Sequence, residues 1–255
     1  MSDVLVREQR GPVLVARLNR PETRNALNGP LMEQIGQALL DAEEDPGTRA
    51  VVLTGTGDRA FCAGLDLQDF ARGRQATGGP AMDRFRQFLD GTPGVPVIGA
   101  INATAVAGGM ELLLSCDMVV VSSQAKLGLP EVKRGLIPGG GGTFLGTRLP
   151  LALAMEIVLT GDTIDAERAY QMGLVNAVVA PDDVLDAALA LAQRIAGNGP
   201  LAIAAAKELV RLSIEDHARA RGRLAELVQS VFASEDANEG ARAFVEKRTP
   251  VWKGR

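Results

Sequence analysis

The chain has 255 residues, which is long enough to bury a sizeable core and lies at the upper edge for one domain. Its formal net charge of −4, without a basic stripe, argues against nucleic-acid binding. No uncharged apolar run reaches the roughly 18 residues of a membrane span, and the N-terminus lacks signal-peptide features. Cys62 and Cys116 are expected to be free thiols. A cytoplasmic protein without a membrane partner is therefore expected.

Strand and helix patterns alternate along the first 180 residues. Segments 4–8 and 13–18 alternate apolar and polar residues and predict two strands. Asn28 is expected to cap a helix that has Pro30 in its first turn. The apolar runs 50–54, 97–102 and 118–121 predict buried parallel strands. Helices are predicted near residues 151–159, 165–172, 182–196, 201–213, 216–233 and 236–247. The pattern indicates ββα units followed by an all-helical tail.

Two glutamates stand beside glycine or proline in apolar surroundings, where a charge is costly. Glu111 follows Gly108 and Gly109, and Glu131 follows Pro130. A glycine pair before a helix exposes backbone N–H groups that can stabilise a developing negative oxygen, with Gly108 as the donor. Two carboxylates near such donors suit proton transfer beside a carbonyl. From these residues alone, a solvated helix start with an ordinary surface glutamate is an equally good interpretation.

A second turn follows the predicted strand at 50–54. The segment from Phe61 to Leu67 contains a small Ala63–Gly64 step that lets the backbone approach a ligand, and it offers the N–H of Leu65. A short helix with an acidic first turn is predicted over 66–70. Leu65 and Gly108 therefore predict an oxyanion hole made by two N–H donors from two separate turns.

Four glycines at 139–142 precede Thr143. They lack the Lys-Ser/Thr ending of a P-loop and the spaced glycines of a dinucleotide site. A bent backbone that leads into a helix near Thr143 is predicted instead.

The chain resembles the crotonase (enoyl-CoA hydratase/isomerase) superfamily. The motifs that match, in order and spacing, are Asn19-Arg20-Pro21, residues 24–28, Phe61 to Asp66, Gly108 to Glu111, Pro130-Glu131, residues 135–143, Leu159-Thr160-Gly161 and Gly173 to Asn176. The resemblance implies an α/β fold, a crotonase-like spiral of ββα repeats with a C-terminal all-helical trimerisation region. The division implied is a core over 1–197 and a helical region over 198–255. It also implies a homotrimer or a dimer of trimers.

The resemblance further implies an enoyl-CoA hydratase in which Glu111 activates a water and Glu131 delivers the α-proton. An isomerase, an acyl-CoA hydrolase and a non-catalytic acyl-CoA-binding protein remain alternatives. Coenzyme A is then part of the substrate, and no separate cofactor or metal is expected. His217, the sole histidine, stands in a polar stretch and is expected at the surface.

Several residues are implied to bind the acyl-CoA. Arg24 is expected near the CoA nucleotide, and Lys247 of the C-terminal helix is a weaker candidate for the same duty. The remaining candidates are Ala26, Ala63, Gly64, Asp66, Leu67, Gly109 and Pro130. The polar, glycine-rich segment 71–81 is expected to be mobile and to close over the acyl chain.

Three departures from the commonest hydratase pattern stand out. Ala107 replaces a frequent glycine, and Leu65 replaces a frequent alanine, so its side chain could narrow or redirect the acyl pocket. The C-terminal residues 250–255 resemble the end of carnitinyl-CoA dehydratase-like members.

Overall fold

The computed structural model describes residues 3–72, 78–92 and 94–255. Within these ranges the strands are β1 (Leu5–Arg10), β2 (Val13–Leu18), β3 (Ala50–Gly55), β4 (Val97–Ile101), β5 (Ala105–Val106), β6 (Met118–Ser122), β7 (Lys126–Gly128), β8 (Ile164–Asp165) and β9 (Ala177–Val179). The helices are α1 (Gly29–Glu44), α2 (Leu67–Ala71), α3 (Pro80–Leu89), α4 (Gly108–Ser115), α5 (Leu151–Thr160), α6 (Ala166–Gln171), α7 (Val184–Ala196), α8 (Pro200–Glu215), α9 (His217–Phe232) and α10 (Glu235–Glu246). This α/β architecture confirms the predicted fold class.

Six strands form the main sheet in the spatial order β1-β2-β3-β4-β6-β9. β1 and β2 are an antiparallel hairpin, and every later neighbour is parallel. The second sheet, β5-β7-β8, is small. Because the chain leaves β3 and β4 at the same edge of the main sheet, the two glycine-containing turns that follow these strands are brought close together.

The main sheet is covered on both faces, which explains why its central strands are apolar runs. On one face, Val13, Val52 and Ile98 pack against α7 through residues such as Ala188 and Ala192. The opposite face carries the larger core with α1, α3 and α4, where Leu31, Ile35 and Phe85 are buried. Asn28 caps α1 through its side chain, which accepts from the N–H of Leu31, as predicted.

Several local predictions require adjustment. The helix predicted over 182–196 begins with a separate 3-10 turn, Pro181–Asp183, and α7 starts at Val184. The helix expected near Thr143 is a 3-10 helix, Gly142–Thr147. α3 is absent from the predicted elements, although Met82, Phe85 and Phe88 are buried at helical spacing. Its Arg84 is also buried and is paired with Glu43 of α1, 41 residues away.

The last three helices, α8 to α10, follow the sheet, and the chain after α10 contains no further helix or strand among the described residues. α8 is attached to the start of β6 by Asp117, whose carboxylate pairs with Lys207 and Arg211. The tail returns to the core where the indole N–H of Trp252 donates to the carbonyl of Gly197. Across the described segments, no helix combines the length and hydropathy needed to cross a bilayer.

Candidate active site

The first turn of the site contains Gly64, which adopts a left-handed backbone with φ +95°. Its carbonyl accepts from the N–H of Leu27, and the carbonyl of Leu27 in turn accepts from the N–H of Asp66. These two bonds leave the N–H of Leu65 between them, without an acceptor among the described residues. The left-handed conformation is open to glycine at little cost, so this residue type fits the turn.

Asp66 stabilises this turn rather than facing the cavity. One carboxylate oxygen accepts from the N–H groups of Gln68 and Asp69 at the start of α2. The other pairs with Arg20 at 2.9 Å, and both side chains are largely buried. Burial acts to raise the pKa of the Asp66 carboxyl, but the Arg20 pair and the two N–H groups together lower it. The short helix predicted after Asp66 is present as α2.

The second turn begins α4. Ala107 precedes the helix with φ +52° and ψ −127°, a conformation that favours glycine. Its N–H donates to the carbonyl of Gly128. Gly108, as the first residue of the helix, has no i−4 partner, and no acceptor in the described ranges takes its N–H.

Close packing of the two turns brings these donors together. A Cβ added at Gly64 would lie 2.7 Å from the Cβ of Ala107 and 3.2 Å from the nitrogen of Gly108. A Cβ at Gly109 would lie 2.1 Å from the carbonyl oxygen of Cys62, so Gly109 serves the approach of α4 to the first turn. The N–H groups of Leu65 and Gly108 thus belong to adjoining backbone segments, the arrangement that an oxyanion hole requires.

Glu111 is buried in the first turn of α4 and is bound by the glycine run. Its Oε1 accepts from the N–H groups of Gly140 at 2.6 Å and Gly142 at 3.0 Å. A Cβ at Gly140 would lie 3.0 Å from Oε2 of Glu111, so the backbone closes on the carboxylate. The predicted bend is therefore also an N–H cradle for a carboxylate, which sequence reasoning missed.

Glu131 lies in the 3-10 helix Pro130–Arg134 and faces Glu111 across the cavity. Its Oε2 is buried and has no hydrogen-bond partner among the described atoms. Burial raises the pKa of the Glu131 carboxyl and the charge of Glu111 raises it further, while a hydrogen bond from its own backbone N–H and the charge of Arg134 oppose the rise. A carboxyl with one unpartnered buried oxygen and a raised pKa is suited to hold and give up a proton.

One cavity of about 440 Å³ contains both glutamates and both turns. Five further residues singled out from the sequence line it: Ala63, Leu65, Leu67, Gly108 and Pro130. Apolar side chains that sequence reasoning missed form most of the remaining wall: Leu27, Met32, Phe85, Leu89, Val106, Leu136 and Ile137. Part of this wall could have been predicted, because the adjacent apolar residues Leu136 and Ile137 stand just before the glycine run.

Other predicted residues lie outside the cavity lining. Arg24 is an exposed loop residue whose carbonyl accepts from the N–H of Ala63, which places its loop beside the first turn. Ala26 is buried, and its carbonyl accepts from Arg20. Lys247 is exposed at the end of α10 and is not among the residues that line this cavity.

The remaining predictions concern the 71–81 segment, the thiols and a metal. Residues 73–77 lie outside the described residues, so the expected closing segment is covered only in part.

Cys62 and Cys116 are buried free thiols, as expected, and burial raises the pKa of each to about 12. His217 is exposed at the start of α9, in agreement with its predicted position. The described part of the chain contains no cluster of three or more residues suited to hold a metal ion.

Comparisons with known proteins agree with this architecture. The family model described as enoyl-CoA hydratase/isomerase matches residues 8–255. A carnitinyl-CoA dehydratase of Proteus mirabilis is 39% identical over 264 aligned positions that cover both chains completely. The crystal structure of an enoyl-CoA hydratase from Mycobacterium tuberculosis is 40% identical, with a TM-score of 0.92 and complete coverage of both chains. That of a carnitinyl-CoA hydratase from Mycobacterium avium is 41% identical, with a TM-score of 0.77 and the same coverage. The chain belongs to the enoyl-CoA hydratase/isomerase family, the crotonase superfamily.

Proposed function

We propose that the protein adds water across the 2,3 double bond of a 2-enoyl-CoA thioester. The observation that carries this proposal is the convergence of two carboxylates and two unused N–H donors on one cavity. Glu111 is fixed by the glycine run, while Glu131 has a buried oxygen without a partner among the described atoms and a raised pKa. The two glutamates can therefore act on one bound substrate, Glu111 as the proton acceptor and Glu131 as the proton donor.

The reaction follows from these positions. The thioester oxygen accepts from the N–H groups of Leu65 and Gly108, which stabilise its charge as the enolate develops; one such donor is worth on the order of 10²–10³ in kcat. Glu111 takes a proton from water as the water oxygen bonds to C3. Protonated Glu131 gives its proton to C2, which completes the addition. Transfer of a proton from Glu111 back to Glu131, directly or through water, restores the starting state.

The CoA portion is proposed to lie beside the first turn. Ala63 lines the cavity, and its N–H donates to the backbone carbonyl of Arg24, whose side chain is exposed. The net charge of −4 provides no general attraction for the CoA phosphates, so local cations such as Arg24 are needed. Lys247 would serve a CoA molecule bound by a neighbouring subunit. Asp66 and Ala26 would act by shaping this turn with Arg20.

A carnitinyl-CoA substrate is the second candidate, because relatives with that name are 39–40% identical to the chain. Its dehydration is the reverse of a hydration and would use the same two glutamates. A quaternary ammonium group is recognised by aromatic faces or negative charge. Here Phe85 is the one aromatic side chain among the described lining residues, Arg134 contributes a cation, and the two carboxylates, Glu111 and Glu131, are already assigned to the reacting carbons. An uncharged acyl group therefore fits this wall better.

The proposal is tested with a panel of 2-enoyl-CoA thioesters and crotonobetainyl-CoA, following loss of the conjugated-thioester absorbance. We expect hydration of the uncharged substrates and much weaker turnover of the cationic one. Glu111→Gln and Glu131→Gln should each lower kcat by about 10²–10⁴-fold while saturated acyl-CoA still binds.

The same variants separate the alternatives. An isomerase moves one proton between two carbons and would tolerate Glu111→Gln but not Glu131→Gln. A hydrolase would release free CoA thiol, which a thiol reagent detects. Binding of acyl-CoA without turnover of any substrate would indicate a non-catalytic binding protein and would overturn the proposal.

A further inference from the structure

A second cavity, of about 410 Å³, lies behind the active-site cavity. Its lining combines the apolar side chains of Leu114, Phe144 and Leu145 with the charged side chains of Arg148, Arg211 and Glu215. Two residues, Leu89 and Gly140, line both cavities. The two spaces therefore adjoin at one leucine side chain and one glycine of the 139–142 run.

Leu89 is the part of this junction that a substitution can remove. It is the last residue of α3 and is half-buried, packed against the main core. Its Cδ1 lies 3.0 Å from the position that a Cβ at Gly140 would occupy, so the side chain closes on the glycine run. Gly140 itself is fixed, because its N–H binds the carboxylate of Glu111.

The order of the site residues gives the direction of the acyl chain. The thioester oxygen is assigned to the N–H of Gly108, and the water that attacks C3 is assigned to Glu111, one helical turn further along α4. The carboxylate of Glu111 contacts Gly140. C4 and the carbons beyond it therefore continue towards Gly140 and Leu89.

We propose that Leu89 ends the acyl pocket and sets the length of acyl chain that the enzyme accepts. This inference rests on the proposed hydration of 2-enoyl-CoA. With leucine at this position, short chains fill the first cavity and longer chains meet the Leu89 side chain. A smaller residue joins the two cavities and gives longer chains an apolar path along Leu114 and Leu145.

The experiment compares kcat/KM for 2-enoyl-CoA substrates of 4, 6, 10 and 16 carbons in the wild type, Leu89→Ala and Leu89→Phe. Each methylene newly buried is worth about a fourfold gain, so Leu89→Ala should raise the ratio of 16-carbon to 4-carbon activity by at least about tenfold. Leu89→Phe should lower the ratio of 10-carbon to 4-carbon activity. Leu136→Ala is the matched control, since Leu136 lines the first cavity but not the second.

Equal losses at every chain length would overturn the inference and would assign Leu89 to positioning of the glycine run. So would a length dependence unchanged in both variants. Leu89→Val provides a milder change if the alanine variant does not fold, with the same direction expected. Calorimetry gives the dissociation constants of saturated acyl-CoA of the same lengths. These constants test the effect of Leu89 on the accepted chain length independently of turnover. If the wild type hydrates no substrate, the proposed function fails. Tighter binding of long saturated acyl-CoA by Leu89→Ala than by the wild type would still support the role of Leu89 at the end of the acyl pocket.

Discussion

The carboxylate of Glu111 is held by backbone N–H groups of the glycine run rather than by other side chains. This arrangement fixes its orientation through two bonds to one oxygen and leaves the other oxygen for a water. Preorganisation of this kind matters because a displacement of about 1 Å in a reacting group can cost on the order of 10²-fold in rate.

Gly140→Ala tests the cradle. The new Cβ would lie 3.0 Å from both Oε2 of Glu111 and Cδ1 of Leu89, so the loop or the carboxylate must shift. We expect kcat to fall by up to about 10²-fold, with little change in melting temperature. Gly146→Ala is the control, because a Cβ there meets nothing within 4 Å. Equal activity of the two variants in steady-state assays would show that the cradle does not contribute.

The pH dependence of the reaction tests the role of Glu131. Burial and the charge of Glu111 raise the pKa of this carboxyl, so its protonated form persists above the ordinary range for glutamate. As a proton donor it fails once ionised, and hydration should decline as the pH rises through this raised pKa. Arg134 lowers the pKa, so Arg134→Gln should move the alkaline limb of kcat/KM to higher pH.

Lys133→Gln is the matched control for that measurement, because the Lys133 side chain is paired with Asp162 outside the cavity. Its pH profile should coincide with that of the wild type. A limb that moves to lower pH in Arg134→Gln would contradict the assignment of the proton donor.

At the scale of elements, prediction from the sequence succeeded where neighbouring residues alone indicate that a segment is buried or where it begins. Strands β3, β4 and β6 are continuous apolar runs, and Asn28 with Pro30 marks the start of α1. It failed where a partner is distant in sequence. α3 contains the buried Arg84, which is compatible with the core only because Glu43 pairs with it from 41 residues away. The partner of the glycine run is likewise 29 residues away in Glu111, so only the bend was predictable.

The attachment of α8 provides a prediction at the same scale. Asp117 binds Lys207 at 2.7 Å and Arg211 at 2.8 Å, and all three side chains are mostly buried. Its carboxylate also accepts from the N–H of Val97 at the start of β4. Burial lowers the pKa of Lys207 while Asp117 opposes this, so loss of the carboxylate leaves an uncompensated buried cation.

Asp117→Asn should therefore lower the free energy of unfolding by about 3 kcal/mol, measured by urea denaturation. Asp162→Asn is the control, since its pair with Lys133 is exposed and should contribute below about 1 kcal/mol. A combined Asp117→Asn and Lys207→Met variant should recover part of the loss, because one of the two cations that lose their partner is removed as well. Equal effects of Asp117→Asn and Asp162→Asn would contradict this account of the α8 attachment.

At the scale of the whole molecule, the described residues of a single chain leave the apolar stripe of α9 exposed. Leu224, Val228 and Phe232 lie four residues apart on one side of the helix and are 46%, 43% and 76% exposed. Leu227 and Val231 are half-buried beside them. An apolar stripe of this length is typical of a surface that another subunit covers.

We therefore predict that the chain self-associates through this stripe, as the trimer or dimer of trimers that the family resemblance implies. Burial of each large side chain contributes roughly 1.5–3 kcal/mol, so Leu224→Glu combined with Val228→Glu should shift the assembly to smaller species. Gln229→Glu is the control, because Gln229 is exposed on the same helix and is not one of the apolar residues of the stripe. Light scattering after size-exclusion chromatography gives the mass of each variant. If Lys247 serves a neighbour's CoA site, the dissociated variant should also bind acyl-CoA more weakly. A wild type that is a fully active monomer at assay concentration would refute both statements.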